Sequence, residues 1–351
     1  MRIALISPYT LPVIRGNSIT AERIKSGLSC HGISVNVFNS EKDRLEQVMN
    51  FKPDIIHCLH AQHSWEFISN LYRQFTVPLV TTLTGTDYSE FTDDQNQNST
   101  FHRMCRLSSA VITFHDRAKE QVVKYFPDIR DKIHIIPQTI DVHETVPQKT
   151  GVRRQYGFTA DDILILTAAA VRKIKNLAYA VHICGKAHHL HSNVRLILCG
   201  PVIEPAVADS LFSLAETTDY FYYLGELSQT DLKLLMHACD IYLNTSLHEG
   251  MCGALMEAMA AALPVMASEI TGNASLIKNG ENGFLAPLHS EDVFTRRLCR
   301  LIENPELRKE LGEKGRRTVM KNYFIEKEIK LLINLYRKLD AGHKCRSREQ
   351  V

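Results

Sequence analysis

Residues 246–286 read SLHEGMCGALMEAMAAALPVMASEITGNASLIKNGENGFLA and join a glycine-punctuated loop to an apolar helix and a short strand. Gly250 and Gly253 allow a tight loop that bulkier residues would resist, so the helix is predicted to begin near Cys252 or Gly253. Pro264 opens the following strand. The stretch is therefore typical of the strand and helix alternation that builds a doubly wound parallel sheet.

Two acidic residues, Glu249 and Glu257, lie eight positions apart across the junction of this loop and helix. The first turn of the helix presents amide N–H groups and a positive dipole end, which favour a phosphate group. Glu257 lies at most about 12 Å along the helix from that end. A nucleoside diphosphate sugar has a comparable span, with hydroxyls at both ends for the carboxylates to bind. The alternative interpretation is two solvated acids beside an ordinary core helix.

The size and charge of the chain limit the classes of protein to which it can belong. Its 351 residues suit two domains, and 44% hydrophobic with 23% charged residues is ordinary for a soluble globular protein. A formal net charge of +2 is too balanced to require nucleic acid as a partner. The composition leaves the oligomeric state open.

The cysteines and the apolar runs predict a cytoplasmic location. The nine cysteines are scattered without a C-x-x-C pair, which indicates neither a zinc ribbon nor a redox pair and favours a reducing compartment. The N-terminus MRIALISPYT lacks the length and cleavage site of a signal peptide. No apolar run approaches the length needed to span a bilayer, although peripheral contact with a membrane stays open.

Short β-branched runs alternate with helical stretches in both halves of the chain, which predicts two doubly wound parallel sheets. The predicted strands are Arg2–Ile6, Ser34–Phe38, Ile55–Cys58, Leu79–Thr82, Ala110–Phe114, Ile133–Ile136, Ile163–Ala168, Val194–Leu198, Phe221–Leu224, Ile241–Asn244, Val265–Met266 and Phe284–Ala286. The polar stretch Val142–Asp162 is the predicted linker. The predicted domains are residues 1–145 and 146–320, followed by a C-terminal helix and tail in residues 321–351.

The final helix, predicted from about Ile325 to Leu339, carries an apolar stripe that must be buried. The stripe comprises Ile329, Leu332, Ile333 and Tyr336. The tail from Lys344 to Val351 is predicted to be frayed and solvated.

The two acids, the Glu-Gly before the helix, Pro264-Val265 and the turn from Gly280 to Phe284 resemble the E-x7-E signature of family 4 glycosyltransferases. This resemblance implies the GT-B architecture: two facing Rossmann-like domains, an interdomain cleft and a last helix that returns to the N-terminal domain. It also implies that Glu249 contacts the transferred sugar and that Glu257 holds the ribose of the donor. The implied reaction is retaining transfer from a nucleotide sugar, with a UDP-sugar favoured, without a metal or a cofactor.

Basic side chains follow the seventh predicted strand in AAAVRKIKNL. Arg172 and Lys175 could offset the diphosphate charge as the leaving group departs. The resemblance implies an arginine and a lysine for this purpose, and Asn176-Leu177 favours Lys175 over Lys173 as the matching lysine. The alternative is a solvated basic loop.

Further donor contacts are predicted at residues that offer backbone groups. Cys252 is not interpreted as a nucleophile, because no base is evident beside it. These donor-side residues are Gly200, Leu227, Gly250, Met251, Cys252 and Gly253.

The loop after the first predicted strand ends at Gly16-Asn17-Ser18. Gly16 allows close approach of a ligand, and Ser18 or Thr20 could cap the following helix. The resemblance implies that this loop lies near the donor diphosphate and the acceptor. It contains no G-x-G-x-x-G, so the fingerprint of a nicotinamide oxidoreductase is missing.

The third predicted strand runs into HCLHAQHSW, which places histidines at positions 57, 60 and 63 with three-residue spacing. In a helix this spacing could indicate metal ligands, but the strand-to-loop context makes a common face improbable. We therefore predict no metal site, and we assign His60 and His63 to sugar or acceptor binding, together with Asn17.

The fourth predicted strand leads into LTGTDYSEF, where many family 4 members carry histidine at the position of Thr84. The role of that histidine cannot be carried over. Thr84 and Asp87 are still predicted to line the acceptor or sugar side. The alternative for Asp87 is a helix N-cap.

Short motifs narrow the resemblance to selenosugar synthases and glycosyltransferase 1 domain-containing proteins. These motifs are GN-x-x-T-A-x-R (Gly16 to Arg23), LHA-x-x-S (Leu59 to Ser64), LTGTD and Gln138 in IIPQTI. For a selenosugar synthase the implied acceptor is selenophosphate and the donor is a UDP-sugar. Rival interpretations are an epimerase or phosphorylase of the same architecture, and a sugar-nucleotide binding module without catalysis.

Overall fold

The computed structural model of the protein describes residues 1–13, 15–88, 99–140 and 149–349. The chain divides into two compact units, of which unit 1 comprises Met1–Asp141 with Tyr323–Val351 and unit 2 comprises Val142–Asn322. Residues 142–148 of the predicted linker, which contain the predicted 145/146 boundary, lie outside the described residues, as do residues 350–351 of the predicted tail.

Strands and helices alternate along both units, and their bounds are as follows. The strands are β1 (Arg2–Ser7), β2 (Ser34–Asn39), β3 (Ile55–Leu59), β4 (Leu79–Thr82), β5 (Ala110–Thr113), β6 (Ile133–Ile135), β7 (Ile163–Ala168), β8 (Val194–Cys199), β9 (Phe221–Tyr223), β10 (Ile241–Asn244), β11 (Val265–Ser268) and β12 (Phe284–Ala286). The helices are α1 (Gly16–Cys30), α2 (Leu45–Phe51), α3 (Trp65–Leu71), α4 (Thr100–Leu107), α5 (Asp116–Tyr125), α6 (Lys149–Gln155), α7 (Leu177–Leu190), α8 (Pro205–Thr217), α9 (Gln229–Ala238), α10 (Gly253–Ala260), α11 (Thr271–Ala274), α12 (Glu291–Glu303), α13 (Pro305–Asn322) and α14 (Ile325–Glu349).

The described part of unit 1 contains a six-stranded parallel sheet in the order β2-β1-β3-β4-β5-β6. Its central strands are apolar runs that are buried along their length, as in β3, because helices cover both faces of a parallel sheet. The chain proceeds outward from β1 on one side and from β3 on the other. Ligands of such sheets bind beyond the carboxyl ends of the strands at this switch point.

The last helix, α14, packs on the face of this sheet that α1 also covers. Its apolar stripe is buried there among residues such as Ile24 and Leu28 of α1. Arg23 of α1 donates through Nε and Nη2 to the Glu328 carboxylate at 3.1 and 3.2 Å, and both side chains are nearly inaccessible to solvent. The buried stripe and this ion pair make α14 part of unit 1.

The prediction of a frayed tail from Lys344 onward is wrong as far as Glu349, because α14 continues to that residue. The Lys344 ammonium contacts the Asp340 carboxylate at 2.7 Å, one helical turn earlier. Such a pair supports the helical conformation. Among the helices of the described residues, none combines the length and the apolar character needed to cross a membrane.

Unit 2 repeats the architecture of unit 1. Its described residues form a parallel sheet in the order β12-β11-β10-β7-β8-β9, which places the switch point between β7 and β10. One apolar core of unit 2 lies between this sheet and helices such as α7 and α12, and further apolar residues outside it, such as Leu255 and Met259 of α10, are also buried. All twelve predicted strands are present with ends that differ by two residues or fewer, and α10 begins at Gly253 as predicted.

Candidate active site

Two loops meet at the switch point of unit 2, one after β7 and one after β10. The Leu247 N–H donates to the Ile174 carbonyl at 2.9 Å. The Thr245 hydroxyl donates to the carbonyls of Lys175 and Asn176 at 3.2 and 3.0 Å. These contacts fix the loop that carries the predicted basic residues against the loop that carries Glu249.

An ion pair between Lys175 and Glu249 lies at the junction of these loops. The Lys175 Nζ is 2.6 Å from Glu249 Oε1, and the two side chains are only 13% and 10% exposed. Ser246 Oγ and Asn244 Nδ2 donate to the same oxygen at 2.6 and 3.4 Å. Within the described residues the second oxygen, Oε2, has no hydrogen-bond partner. The carboxylate is therefore held by one oxygen and offers the other to a ligand.

The charge of Glu249 depends on two opposed effects. Burial by itself would raise the pKa of the carboxyl, but the charge of Lys175 and the hydrogen bonds from Lys175, Ser246 and Asn244 hold its pKa below the ordinary glutamate value. The carboxylate is consequently ionised at neutral pH. A carboxylate of this kind accepts hydrogen bonds strongly and is a poor general base.

Arg172 lies immediately before the turn that carries Lys175. Its Nε is buried, and among the described residues the guanidinium has no hydrogen bond or ion pair. An unpaired cation beside the site is suited to an anionic ligand. Lys173 instead is exposed, and its backbone N–H donates to Glu204. The structure thus brings Lys175, and not Lys173, to Glu249.

The N-terminus of α10 lies next to Glu249 along the chain. This helix end has no side-chain cap hydrogen bond. The Leu255 N–H is directed at the Cys252 sulfur, so the first-turn N–H groups of Gly253 and Ala254 are the ones suited to a ligand. Met251 and Cys252 are buried, Gly250 precedes them, and Glu257 lies half-buried one turn into the helix. Burial, with a smaller effect from Glu249, raises the pKa of the Cys252 thiol to about 12. Because the thiol stays protonated, it is not an active nucleophile.

Gly200 and Leu227 follow β8 and β9 respectively. Gly200 has a φ of +146°, and a Cβ at this position would overlap the carbonyl group of Ala169. Its N–H also donates to the Gly225 carbonyl at 2.8 Å. Close backbone packing therefore explains this glycine without a ligand. Leu227 is half-buried in the loop that follows Gly225, and its predicted contact with the donor stays a prediction.

Three site residues were missed in the sequence, namely Asn244, Ser246 and Asn273. Asn244 and Ser246 could have been noticed as polar residues where an apolar strand ends, directly before Glu249. Asn273 carries no such signal. It lies far along the chain in α11 and reaches the site through a hydrogen bond to Asn244 Oδ1 at 3.0 Å.

Gly272 supports the backbone of the site, and its replacement gives a first test. A Cβ on Gly272 would overlap the Glu249 carbonyl oxygen and lie 2.9 Å from Glu249 Cβ. We expect Gly272→Ala to displace the Glu249 loop and to lower the free energy of unfolding by about 1–3 kcal/mol. Gly151→Ala is the matched control, because nothing lies within 4 Å of its Cβ position. Chemical denaturation of both variants measures the difference, and equal stabilities would contradict the packing argument.

The loop after β1 in unit 1 leads directly into α1. Gly16 begins this helix and is exposed, and a Cβ at this position would have no other atom within 4 Å, so the space around it is open. Asn17, beside it, is half-buried. Of the two predicted capping residues, Ser18 is the one that forms a cap, because its Oγ accepts from the Arg15 N–H at 2.9 Å.

The histidines of unit 1 separate into different environments. His57 is buried, with Nδ1 2.5 Å from Tyr336 Oη and Nε2 2.7 Å from Thr82 Oγ1. Burial lowers the pKa of His57 to about 3, so it is a neutral core residue. His60 is also buried, whereas His63 is exposed and its ring lies 4.2 Å from that of His60. The three side chains therefore do not converge on one point.

Asp87 has a structural role in the loops of unit 1, and its predicted place on the acceptor or sugar side stays a prediction. Asp87 is 1% exposed, and its Oδ1 accepts from the N–H groups of Thr84 and Gly85, both at 2.9 Å. Its Oδ2 accepts from the Ala61 N–H at 3.1 Å. The carboxylate is thus used to hold the loops after β3 and β4 together. Thr84 is half-buried and takes part in this loop through its backbone.

Comparison with known proteins finds a family match in the part of the chain that contains the Lys175–Glu249 pair. Residues 148–318 match the family model described as glycosyl transferases group 1. The chain is 28% identical over 326 residues to glycosyltransferase 1 domain-containing protein 1 of Xenopus tropicalis, covering 89% of this chain and 91% of that protein.

Solved structures share the fold across the chain. Sucrose-phosphate synthase of Thermosynechococcus elongatus superposes with a TM-score of 0.80 at 18% identity and covers 97% of this chain and 99% of its own. HepE of Anabaena, solved in complex with UDP-glucose, superposes with a TM-score of 0.76 at 18% identity, covering 97% and 100%. With the two parallel sheets, these likenesses confirm the predicted α/β fold of two Rossmann-like domains. The region that matches the glycosyl transferases group 1 model, residues 148–318, contains Arg172, Lys175, Glu249 and Glu257.

Proposed function

We propose that this protein is a retaining glycosyltransferase that moves a sugar from a nucleotide-sugar donor, in the first place a UDP-sugar, to an acceptor. The observation that carries the proposal is the Lys175–Glu249 pair at the switch point, with one carboxylate oxygen saturated and the other free. HepE of Anabaena, which has been solved with UDP and with UDP-glucose, supports the choice of donor.

The cations of the site suit the leaving group. As the bond between the anomeric carbon and the phosphate oxygen breaks, negative charge grows on the diphosphate. Arg172, Lys175 and the N-terminal amides of α10 would stabilise that charge, so we propose a reaction without a metal or a cofactor. Glu257, further along α10, would accept hydrogen bonds from the ribose hydroxyls.

The proposed mechanism is front-face displacement. The acceptor oxygen, or the corresponding atom of another nucleophile, bonds to the anomeric carbon on the face that the diphosphate leaves, and its proton passes to the departing phosphate oxygen. Glu249 Oε2 would accept a hydrogen bond from a sugar hydroxyl and orient the ring. Its lowered pKa suits this orienting role better than proton abstraction.

A panel of donors tests the proposal. Thermal-shift measurements with UDP-, GDP- and ADP-sugars identify the donor, and mass spectrometry then detects products with candidate acceptors, selenophosphate included. NMR measures the anomeric configuration of the donor and of the product, and a retaining enzyme should give the same configuration in both. Free sugar and nucleotide without an acceptor product would favour an epimerase or hydrolase. Tight donor binding without any turnover would favour a binding module.

The two acids should separate binding from catalysis. We expect Glu257→Ala to weaken donor binding about tenfold through loss of the ribose hydrogen bonds. We expect Glu249→Gln to lower kcat about a hundredfold, with a smaller change in donor affinity. Calorimetry and initial rates measure the two effects. Glu269→Ala, at an exposed position after β11, serves as the control, and identical profiles for both acid variants would refute the division of roles.

We further propose that the protein acts in the cytoplasm. All nine cysteines are free thiols in the structure, and seven of them are buried or half-buried as apolar side chains. Fractionation of cells that express the tagged chain tests this location. Recovery from an oxidising compartment with paired cysteines is the contrary result.

A further inference from the structure

Asn273 of α11 is a fully buried amide with an unequal set of partners. Its Nδ2 donates to Asn244 Oδ1 at 3.0 Å and to the carbonyl oxygen and Oγ of Ser268 at 3.0 and 3.3 Å. Its own Oδ1 is buried and has no partner among the described residues. A buried carbonyl oxygen without a partner costs stability. The hydrogen bonds that the NH2 group donates must offset this cost, and they therefore determine the orientation of the Asn273 side chain.

The hydrogen bond from Asn273 determines the orientation of the Asn244 amide. Asn244 Oδ1 accepts from Asn273 Nδ2 and from the Ser246 N–H at 3.1 Å. With its oxygen on that side, the NH2 group of Asn244 faces Glu249 Oε1 at 3.4 Å and Cys252 Sγ at 3.5 Å. A hydrogen-bonded chain therefore runs from Ser268 through Asn273 and Asn244 to the Glu249 carboxylate.

Asn273 also anchors the helix that supports the Glu249 backbone. The bond from Asn273 Nδ2 to the Ser268 carbonyl joins α11 to the end of β11. Gly272, its neighbour in α11, approaches the Glu249 carbonyl so closely that a Cβ would not fit. The side chain and the backbone of Glu249 thus both depend on the placement of Asn273.

We propose that Asn273 is a positioning residue for Glu249: its donation to Asn244 directs an NH2 group onto Oε1 and thereby leaves Oε2 as the oxygen that meets the substrate. The identity of that substrate rests on the proposed function. The positioning itself is a property of the free protein.

Several ionisable groups surround the Glu249 carboxylate and must be considered in any titration. Lys175 reaches it from the loop after β7, Tyr242 approaches from β10, and Cys252 and Glu257 belong to the α10 region. α11 itself, with the sequence TGNA, contributes no ionisable side chain. Changing Asn273 therefore alters the hydrogen bonding of Glu249 and leaves all of these groups in place.

Asn273→Asp is the informative variant because it keeps the shape and reverses the hydrogen bonding. The new carboxylate cannot donate, so the NH2 group of Asn244 turns toward it and the amide oxygen faces Glu249. Loss of one donor, the approach of an oxygen and the negative charge of the new carboxylate should together raise the pKa of Glu249 by at least about one unit. In active enzyme the acid limb of the kcat profile should move upward by the same amount. We expect kcat itself to fall about tenfold.

The titration of Glu249 can be followed without any assay of activity. Protein labelled with 13C at the glutamate carboxyls gives NMR signals, and the one lost in Glu249→Gln belongs to Glu249. Asn282→Asp is the matched control, since Asn282 is equally an amide of unit 2 with little exposure, and its Nδ2 donates to Leu276 and Thr318. The control should destabilise the protein and leave the Glu249 titration unchanged.

The outcomes are distinct. Asn273→Ala removes the donor without adding a charge, so a raised Glu249 pKa in both Asn273 variants, absent in the control, supports the positioning role. A rise in Asn273→Asp alone would reflect the added charge and would overturn the inference. If Asn273→Asp does not fold, Asn273→Ala, which also removes the donor, should produce a smaller shift in the same direction. An unchanged Glu249 titration in the folded variant overturns the inference. A shifted titration together with no sugar transfer by the unmodified protein supports the positioning and refutes the proposed function.

Discussion

Replacing Lys175 by Met is expected to slow sugar transfer about a thousandfold, because one cation serves two parts of the site. In the free protein its ammonium lies 2.6 Å from Glu249 Oε1 and neutralises a nearly buried carboxylate. During the proposed reaction the same group would stabilise the diphosphate as it leaves. Methionine keeps much of the length and apolar character of the lysine stem, so the variant tests the charge itself.

The loss of Lys175 should also change Glu249. Without the cation the effect of burial prevails, and the pKa of Glu249 should rise above its ordinary range instead of lying below it. In the unmodified protein the ionised carboxylate contributes stability above the ordinary glutamate pKa, and this contribution is lost as the pH falls through the lowered value. In Lys175→Met the ionised Glu249 carboxylate should instead lower the stability of the protein, because it is buried without a cation. The loss of stability should therefore be largest at neutral pH and should shrink as the pH approaches about 4.3.

Lys173→Met is the matched control for this prediction. Lys173 lies two residues away in the same turn and is exposed, and its backbone N–H, rather than its side chain, contacts Glu204. Initial rates with a fixed donor and melting temperatures across pH compare the two variants. Equal losses of activity would show that the general positive charge of the loop matters and not the pair with Glu249. A Lys175→Met enzyme with normal kcat would remove the leaving-group role altogether.

The fold was predictable because the same pattern, a short apolar strand followed by a helix-length segment, is repeated along both halves of the chain. A strand that helices cover on both faces must be apolar along its whole length, and runs such as ILILTA in β7 and IIHCL in β3 satisfy this condition. The separation of these runs by helix-length segments is sufficient to predict parallel sheets. The extension of α14 to Glu349 was missed because the sequence of that segment is polar and carries no apolar stripe; within it, Lys344 pairs with Asp340.

The site was predictable only where the chain places its residues close together. Glu249 and Glu257 share one loop and helix, and Lys175 follows the neighbouring strand, so an argument from strand ends brings them to one edge of the sheet. The pair between Lys175 and Glu249 could not be read from the sequence, because it depends on side-chain directions. The contribution of Asn273 required contacts between segments that are distant along the chain.

His57 and Asp87 have structural partners that the sequence does not indicate. His57 lies within β3, and Asp87 lies in the loop after β4, a position where ligand-binding residues of such sheets also occur. Neighbouring side chains of a strand point to opposite faces, so a histidine near a strand end is as easily buried as exposed. His57 faces Tyr336 of α14 in the core, and Asp87 binds backbone N–H groups of two loops. The tertiary partner decides between the two roles.

The second large effect concerns the stability of unit 2, through Arg153 of α6. Its side chain is 5% exposed and every nitrogen has an acceptor: Nη2 contacts Asp240 Oδ2 at 2.6 Å, and Nε donates to the Ala238 carbonyl at 2.9 Å. Nη1 donates to three further carbonyls, those of Thr159, Ala160 and Asp162. One guanidinium thus joins α6 to the loop before β7 and to the start of β10.

Arg153→Met should lower the free energy of unfolding of unit 2 by about 3–5 kcal/mol, because it leaves the Asp240 carboxylate without its buried partner and several carbonyls without a donor. Asp240 offers an internal control, since its other oxygen contacts the Lys149 ammonium at 2.7 Å. Lys149 is 46% exposed, so Lys149→Met should cost less than about 1 kcal/mol. Both variants remove one cation from the same acid and differ in burial.

Denaturant titrations of the two variants therefore compare a buried guanidinium that holds Asp240 and four carbonyls with an exposed ammonium that contacts Asp240. Asp240 directly precedes β10, the strand that ends at Asn244, so damage at Arg153 should spread toward the loop that carries Glu249 as well. We expect Arg153→Met to weaken nucleotide binding near its melting temperature, while Lys149→Met binds normally. If both variants unfold at the same denaturant concentration, the buried guanidinium is not what holds α6 to the sheet, and the apolar contacts of α6 must do so instead.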